Sequence, residues 1–540
     1  MNKLEVLKKH FGHDHFREGQ SEIIDALLKG RDAFGVMPTG SGKSICYQVP
    51  ALMREGIALV VSPLISLMKD QVMALKASGI PAAYINSSLT PWQQQEAIRR
   101  AGNGANKIIY VAPERLEVPQ FQQFARQARL SLIAVDEAHC VSQWGHDFRP
   151  SYLKIAQFIQ ELPVRPPVCA FTATATRQVR DDILRLLLLQ DPFRVVTGYN
   201  RPNLHFSSVK PTNKLGYLYN YLKSIGDQCG IIYCSTRKNV EQICERMQML
   251  GFSATRYHAG LSDTERQQNQ EDFRMDRARI MVATNAFGMG IDKSDVRFVL
   301  HYNMPKDLES YYQEAGRAGR DGEAAECVLL YSGQDVITGK WMIEHDEDNE
   351  NIAPEEREHF REQQLERLKQ MTFYATSKTC LRHYILRYFG EYNAVEHCGH
   401  CSVCDGDAFE VDTGGRRKTP FVTESEEKKA DKRIDKEARK AIRSQTVASF
   451  TPWETALYEN LRDLRKLLAN RSRMPAYTIF SDVTLQDMVK KRPTDLDAFL
   501  DVSGVGVNKQ RIYGEAFLAV IRDGTEPNDA ILLMEAPNEP

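Results

Sequence analysis

The chain has 540 residues, which is too long for one hydrophobic core. Its composition, 42% apolar and 26% charged, is ordinary for globular proteins. About one domain per 150 residues predicts roughly three to five domains. The formal net charge of −1 excludes a globally basic nucleic-acid binder, so phosphate contacts must come from local patches. No run approaches the roughly 20 apolar residues of a membrane span, and residues 2–10 are charged rather than apolar. We therefore expect no membrane partner and a cytoplasmic protein, nucleoid-associated if bacterial.

Short apolar runs rich in Val and Ile alternate with helical patterns through the first 331 residues. Strands that alternate with helices predict an α/β fold with parallel sheets covered on both faces. The strands suffice for two sheets, divided near the polar, Pro-containing segment 200–213. The predicted strands are 58–61, 108–111, 132–135, 168–171, 230–233, 280–283, 298–300 and 327–331.

The first motif is MPTGSGKS at residues 37–44, between a strand-like run and a helical pattern. A Gly-rich turn at a helix N-terminus directs backbone N–H groups toward phosphates. Lys43 would reach the β and γ phosphates of ATP, and the Ser44 hydroxyl would bind Mg²⁺. Met37 stands where the strict motif has Gly, so a chance turn is the alternative interpretation. The predicted nucleotide-binding residues of this loop are Thr39, Gly40, Ser41, Gly42, Lys43 and Ser44.

A second motif, DEAH, follows the predicted strand 132–135. Open α/β sheets place their sites at the carboxyl ends of strands. Asp136 suits the Mg²⁺ shell, and Glu137 suits polarisation of the attacking water. An acidic pair after a strand is by itself usually a solvated loop, but downstream of a phosphate loop it predicts the second half of an NTPase site.

Residues 142–152 read SQWGHDFRPSY and combine aromatic with basic side chains. Aromatic rings stack on unpaired bases and basic groups hold phosphates, so the pattern predicts a single-strand contact. The alternative is an aromatic loop packed into the core. The residues predicted to contact the single strand are Trp144, His146, Phe148 and Arg149, and only a family resemblance implies that this strand is DNA.

The segment 313–320 reads QEAGRAGR and contributes Gln313, Arg317 and Arg320 to the predicted catalytic set. A spacing of three would place both arginines on one face of a helix. Facing the first sheet domain, such an arginine could reach the γ-phosphate, and Arg320 is the stronger candidate for this finger. A solvated helix is the alternative.

Four of the eleven cysteines cluster, as Cys380 and the CxxCxxC set Cys398, Cys401 and Cys404. Four thiolates predict a closed structural zinc site, although the same spacing also ligates iron–sulfur clusters. In a reducing compartment the scattered cysteines should be free thiols.

Charged helical patterns replace strands after residue 334. Residues 405–449 are polar and cannot build a core, and their second half predicts a basic helix with one thin apolar stripe. Residues 450–525 have the pattern of a compact helical domain, and 526–540 are expected to be a tail.

The ordered motifs, together with residues 62–68, APERL at 112–116 and FTATAT at 171–176, resemble a superfamily-two helicase. FGHDHFREGQ at 11–20 and the aromatic segment 142–152 narrow the resemblance to the RecQ family. The resemblance implies RecA-like lobes at 1–200 and 201–335, a helical zinc-binding module at 336–404, a charged linker at 405–449, and an HRDC-like domain at 450–525. It implies an ATP-dependent DNA helicase of 3′ to 5′ polarity in repair or recombination, with Mg²⁺ and zinc.

The same resemblance assigns residues beyond the motifs. Arg17 and Gln20 would contact adenine, and His13 stands where the family usually stacks a Tyr on the base. Asp292, at the end of VATNAFGMGID, would belong to the nucleotide site.

The implied ligands are single-stranded DNA and forked or partial duplex DNA, with no protein partner indicated. An RNA-dependent ATPase and a non-catalytic nucleic-acid scaffold are the alternatives, although the intact motifs disfavour the scaffold. Residues 405–449 are too few and too polar for the winged-helix domain that RecQ helicases commonly carry there.

Overall fold

The computed structural model describes residues 1–63, 65–145, 147–288, 293–345, 354–392, 394–406, 450–472 and 474–533. Two predicted site residues, His146 and Asp292, lie outside the described residues, as does the predicted basic helix of the linker. Among the described helices, none combines the length and apolar character needed to cross a bilayer.

The first lobe is a seven-stranded parallel sheet of order β3-β4-β2-β5-β6-β1-β7. Its central strands are buried throughout, as a sheet covered on both faces requires. The strands are β1 Ala33–Val36, β2 Ile57–Val61, β3 Ala82–Ile85, β4 Ile108–Val111, β5 Leu130–Val135, β6 Val168–Thr172 and β7 Phe193–Val196. The helices are α1 Lys3–Phe11, α2 Gln20–Leu28, α3 Ile45–Met53, α4 Ile65–Ala77, α5 Pro91–Gly102, α6 Pro119–Gln127, α7 Lys154–Gln160 and α8 Arg177–Leu186.

The second lobe is a six-stranded parallel sheet of order β10-β11-β9-β12-β13-β8. The strands are β8 Leu204–Val209, β9 Gly230–Tyr233, β10 Ala254–Tyr257, β11 Ile280–Ala283, β12 Phe298–His301 and β13 Ala325–Leu330. The helices are α9 Lys214–Ile225, α10 Arg237–Met249, α11 Asp263–Arg274, α12 Leu308–Ala315 and α13 Gly333–Glu344.

The predicted dividing segment includes a strand that the sequence pattern did not predict. Segment 200–213, expected to divide them, contains β8, an edge strand of the second sheet. Its sequence LHFSSV alternates buried and partly exposed residues, so it lacks the continuous apolar run that revealed the eight predicted strands. The change from one sheet to the other therefore falls between Val196 and Leu204. Strands β3, β7 and β10 were likewise not predicted.

A helical module follows the second lobe, with α14 Pro354–Ala375 and α15 Leu381–Tyr388. The Tyr374 hydroxyl lies 3.1 Å from that of Tyr311 in α12, and Ser208 Oγ of β8 donates to Ala375 O at 2.6 Å. The loop after α15 meets the free side of β8, where Phe206 forms a bridge with Cys401 and Ser402 N donates to Phe206 O at 2.9 Å. The module is therefore built onto the second lobe.

The C-terminal domain has its own apolar core, in which Phe480, Phe499 and Phe517 contact one another. One correction concerns its end, since the expected tail begins with a short helix whose Ala530 is fully buried in that core. The helices are α16 Pro452–Ser472, α17 Ala476–Ile479, α18 Asp482–Lys491, α19 Leu496–Leu500, α20 Val507–Asp523 and α21 Pro527–Ala530.

Candidate nucleotide site and zinc centre

The phosphate loop joins β1 to α3. Its glycines lie against Gln20 of the first lobe and Arg320 of the second, which leave little room for side chains there. Gly40 and Gly42 have φ of +83° and +81°, a region that favours glycine. A Cβ on Gly40 would lie 3.2 Å from Arg320 O, and one on Gly42 would lie 2.8 Å from Gln20 Nε2. Met37 N, at the end of β1, donates to Thr172 O at 3.0 Å. The predicted loop is thus placed against both lobes.

Lys43 and the two carboxylates meet at the end of β5. Lys43 Nζ donates to Met37 O at 3.2 Å, and desolvation lowers the pKa of Lys43 while Glu137 and Asp136 oppose that shift. Burial and the neighbouring Glu137 raise the pKa of Asp136. A site where burial and like charge disfavour the ionised carboxylate is one where a cation is favourable. The carboxylate of Asp136 and the hydroxyl of Ser44, next to Lys43, are oxygen donors of the kind that Mg²⁺ prefers and therefore fit it.

Glu137 has a left-handed backbone, with φ and ψ both 47°, which typically costs a non-glycine residue about 1–3 kcal/mol. Its Oε2 lies 3.3 Å from Nδ1 of the fully buried His139, which is also 2.9 Å from Thr172 Oγ1. Thr172 Oγ1 in turn donates to Thr174 O at 3.0 Å. The DEAH and FTATAT segments are therefore physically connected.

The structure corrects the predicted placement of the two arginines. Helix α12 ends at Ala315, and the chain turns through Gly316 and Gly319, the latter with φ of +55°. Arg317 and Arg320 consequently do not share a helix face. The glycines end the helix before either arginine is reached, because glycine favours turns over helix interiors.

The two arginines have different surroundings. Arg317 is buried inside the second lobe near Tyr233 and Gly288. Arg320 packs its backbone on Gly40, and its positive charge acts to lower the pKa of Lys43. Arg320, not Arg317, therefore adjoins the phosphate loop. Gln313 lies on α12, one turn before the loop that carries the arginines.

A cavity of about 320 Å³ lies between the lobes beside this loop. It is lined by Pro38 to Ser41 of the first lobe and by Arg320 of the second, with Arg17 and Arg201 at its sides. This volume is near the lower end of the range for ligand pockets in proteins, about 300–1,000 Å³.

The four clustered cysteines converge as predicted. The Sγ atoms of Cys380 and Cys401 lie 3.9 Å apart, and those of Cys398 and Cys404 lie 4.0 Å apart. Tetrahedral zinc with Zn–S bonds of about 2.3 Å requires sulfurs about 3.8 Å apart. The backbone N–H groups of His383 and His400 donate to Cys380 and Cys398 Sγ at 3.5 and 3.3 Å. Such bonds stabilise thiolates, so the set fits a closed zinc site.

Four family models match the chain. They are the DEAD/DEAH box helicase at 17–182, the helicase conserved C-terminal domain at 213–322, RecQ zinc-binding at 333–405, and the HRDC domain at 454–521. The zinc-binding match at the cysteine cluster decides between zinc and iron–sulfur in favour of zinc.

Curated relatives agree over nearly the whole chain. The ATP-dependent DNA helicase RecQ of Bacillus subtilis is 39% identical, with 96% of this chain and 98% of the relative covered. The protein of the same name from Pasteurella multocida is 36% identical, with 96% and 93% covered. The chain belongs to the RecQ family of ATP-dependent DNA helicases.

Solved structures show the same fold at low identity. Mss116p bound to ssRNA and AMP-PNP gives a TM-score of 0.53 at 15% identity, covering 69% of this chain and 86% of that one. Mycobacterium smegmatis helicase Lhr bound to ssDNA and AMP-PNP gives 0.50 at 21% identity, covering 60% and 47%. The Bacillus alignment spans 586 positions, more than the 540 residues here, so that relative contains segments that this RecQ chain lacks.

Gln20 and Arg17, both predicted to contact adenine, contact the phosphate loop in this RecQ structure. Gln20 is buried, its Nε2 donates to Ser41 O and Gly42 O at 3.0 Å each, and its Oε1 accepts from Arg17 N at 2.9 Å. The Arg17 guanidinium donates to Gly40 O. Gln20 and Arg17 therefore brace the loop, and their contact with adenine stays a prediction.

The HRDC domain lies beside His13, which sequence reasoning did not anticipate. Gly504 N donates to Gly12 O at 2.7 Å, and Asn508 Nδ2 donates to Ala77 O at 2.6 Å. Desolvation and the positive charges of Arg17 and Lys509 lower the pKa of His13 to about 4, although the residue as a whole is exposed. His13 is thus a neutral imidazole at physiological pH.

The aromatic segment is split between surface and core. Tyr152 is fully buried and donates its hydroxyl to Asp136 O at 3.0 Å. Trp144 is half-buried, with its ring 5.6 Å from that of His359 in α14 and edge-on to it. Arg149 donates to Asp147 Oδ2 at 2.9 Å and to Pro63 O at 3.1 Å, and Phe148 is half-buried. The segment therefore connects the DEAH strand to the helical module.

Proposed function

We propose that this RecQ helicase hydrolyses ATP between its lobes, with Lys43, Ser44, Asp136 and Glu137 from the first lobe and Arg320 from the second. The observation that carries the proposal is the packing of the Arg320 backbone on the phosphate loop, where a Cβ on Gly40 would lie 3.2 Å from Arg320 O and the Arg320 charge acts on Lys43. An arginine supplied across the cleft makes hydrolysis depend on lobe closure.

Each residue of the proposed site has one role. Thr39 to Gly42 hold phosphate oxygens with backbone N–H groups, and Lys43 neutralises the β and γ phosphates. Ser44 and Asp136 would hold Mg²⁺, which would supply charge neutralisation to the phosphates. Glu137 orients the attacking water and accepts its proton.

The second lobe completes the proposed site from the far side of the cleft. Arg320 compensates the charge that develops on the transferred phosphoryl group. Gln313, Arg317 and Asp292 are proposed to support this side of the site, on the basis of the motifs that contain them.

The adenine edge is proposed to consist of His13, Arg17 and Gln20. The neutral ring of His13 can stack on a base without the cost of desolvating a charge. The Gln20 amide donates to carbonyls of the phosphate loop. For this amide to donate to adenine, those hydrogen bonds must break when nucleotide binds.

The proposed track is single-stranded DNA over Trp144, His146, Phe148 and Arg149, with 3′ to 5′ translocation and a forked or partial duplex as substrate. The support is the bond from Tyr152 to the backbone of Asp136, which gives the aromatic segment a direct contact with the ATP site. An aromatic side chain under a base contributes about 1–3 kcal/mol to binding.

The decisive experiment compares ATP turnover with single-stranded DNA, single-stranded RNA and no nucleic acid, in the wild type and in Trp144→Ala. We expect stimulation by DNA, little by RNA, and loss of stimulation but not of basal turnover in the variant. Equal stimulation by RNA would favour the RNA-dependent alternative. Normal stimulation of the variant would return the segment to a purely structural role.

Lys43→Ala tests the ATP site itself. We expect hydrolysis to fall to background while single-strand affinity is largely kept, because the lysine contacts phosphate and not the track. Fluorescence anisotropy with labelled oligonucleotide, measured beside the ATPase assay, separates the two. Substantial DNA-stimulated turnover in this variant would contradict the assignment.

A further inference from the structure

Arg201 lies on the connection between β7 and β8, where the chain passes from one lobe to the other. Its guanidinium uses all five N–H donors that an arginine has. Nη1 donates to Thr39 O at 2.7 Å and to Gly316 O at 3.3 Å. Nη2 donates to Ala318 O at 3.0 Å and to Gly319 O at 2.7 Å, and Nε donates to Asn203 Oδ1 at 3.3 Å.

The acceptors come from two loops on different lobes. Thr39 belongs to the phosphate loop, and Gly316 to Gly319 belong to the turn that presents Arg320. Within the described part of the chain, the hydrogen bonds of Arg201 go to neutral oxygens and not to a carboxylate. Hydrogen bonds are directional, and a planar guanidinium fixes the spacing of everything it contacts. Arg201 therefore sets the distance between the two loops.

A neighbour reinforces the contact on the second lobe. Asn203 Nδ2 donates to Gly319 O at 2.9 Å and to Glu323 O at 2.8 Å, so that it holds the far side of the same turn. The segment is itself held by the zinc-binding module. Arg382 of α15 donates to Asn200 Oδ1 at 3.0 Å and to the carbonyls of Arg201 and Leu204. The side chain of Arg201 thus projects from an anchored backbone.

We infer that Arg201 is a positioning residue for ATP hydrolysis, which holds the turn carrying Arg320 against the phosphate loop. The inference rests on the proposed function, because it requires Arg320 to act at the phosphates. Arg201 itself contacts carbonyls and not the reacting atoms. Displacing a catalytic group by about 1 Å can cost about 10²-fold in rate.

The test is a double-mutant cycle on DNA-stimulated turnover with Arg201→Ala, Arg320→Ala and the double variant. We expect Arg201→Ala to lower kcat about 10²-fold with little change in KM for ATP. Arg320→Ala should lower kcat further, by about 10³-fold or more. The double variant should be no slower than Arg320→Ala, because Arg201 has nothing left to position. Losses that multiply would overturn the inference.

Three further variants keep the result interpretable. Arg194→Ala on β7 removes an exposed arginine close by in sequence and should leave kcat unchanged. If Arg201→Ala melts early, Arg201→Lys, which cannot span five acceptors, and Asn203→Ala replace it in the cycle. For each of these variants, kcat must again fall in the wild-type background and must not fall further in the Arg320→Ala background, or the inference fails. A normal rate in Arg320→Ala alone would refute the proposed finger, a result distinct from multiplying losses.

Discussion

The zinc-binding module and the HRDC domain both lie against the helicase lobes, but through different kinds of contact. Ile385 of α15 and Phe389, which directly follows that helix, belong to the same apolar cluster as Phe206 and Tyr311 of the second lobe. Phe389 also stacks on Tyr199 at 4.4 Å between ring centroids. The HRDC domain keeps its apolar residues in a separate cluster. It meets the first lobe through hydrogen bonds to Gly12 O and Ala77 O, and the second lobe through the polar contacts of Gln486 with Glu323 and of Tyr477 with Lys293.

The difference predicts different behaviour. When a module shares an apolar core with a lobe, unfolding of the module also lowers the stability of the lobe, since burial of apolar surface dominates folding. A domain with its own core can leave a mostly polar contact at little cost. The zinc-binding module should therefore act as part of the motor, and the HRDC domain as a separable unit.

The largest effect should follow from Cys401→Ser. Structural zinc can contribute about 10–16 kcal/mol to folding, so we expect unstable protein without ATPase activity. Metal analysis of the wild type should find one zinc per chain and no iron. Ser402→Ala, beside the cluster but outside the ligand set, is the matched control and should keep its zinc. A stable, active Cys401→Ser protein would remove the distinction between the two modules.

A smaller loss is expected from Arg382→Ala, which breaks the link from α15 to residues 200–204. Hydrogen bonds to charged groups contribute about 1.5–3 kcal/mol each, so the free energy of unfolding should fall by several kcal/mol. Denaturant titration measures this loss. Arg387→Ala, an exposed arginine on the same helix, should stay within about 0.5 kcal/mol of the wild type. Equal values for both variants would show that the shared core needs no polar link.

The smallest effect on the motor should come from Gly12→Ala. A Cβ there would lie 2.5 Å from the backbone of Gly504 and Val505, so the HRDC domain must move away. Gly30→Ala has a similar φ, +80° against +72°, but nothing within 4 Å, and isolates the backbone strain. We expect a larger radius of gyration by small-angle scattering for Gly12→Ala alone, with DNA-stimulated turnover largely kept. Collapse of turnover in Gly12→Ala but not in Gly30→Ala would make the HRDC contact part of the motor.

The parts that sequence predicted well are those with local signals. Val- and Ile-rich runs identify central parallel strands, and glycines at fixed spacing identify the phosphate loop. Strand β8 was not predicted because half of its residues are polar. The orientation of Arg317 and Arg320 was wrong because two glycines end α12 early. Arg201 left no signal at all, since its partners are backbone carbonyls, which every residue type carries.

The contact between Phe206 and Cys401 has a consequence for the protein without its metal. Strand β8 is the edge of the second sheet, and the loop of the zinc site covers its free hydrogen-bonding side. An uncovered sheet edge is a template on which a strand from another molecule can pair. Loss of zinc should thus expose an unpaired strand edge on which other molecules can pair. The resulting aggregates should bind thioflavin and show intermolecular β-structure in the infrared amide band.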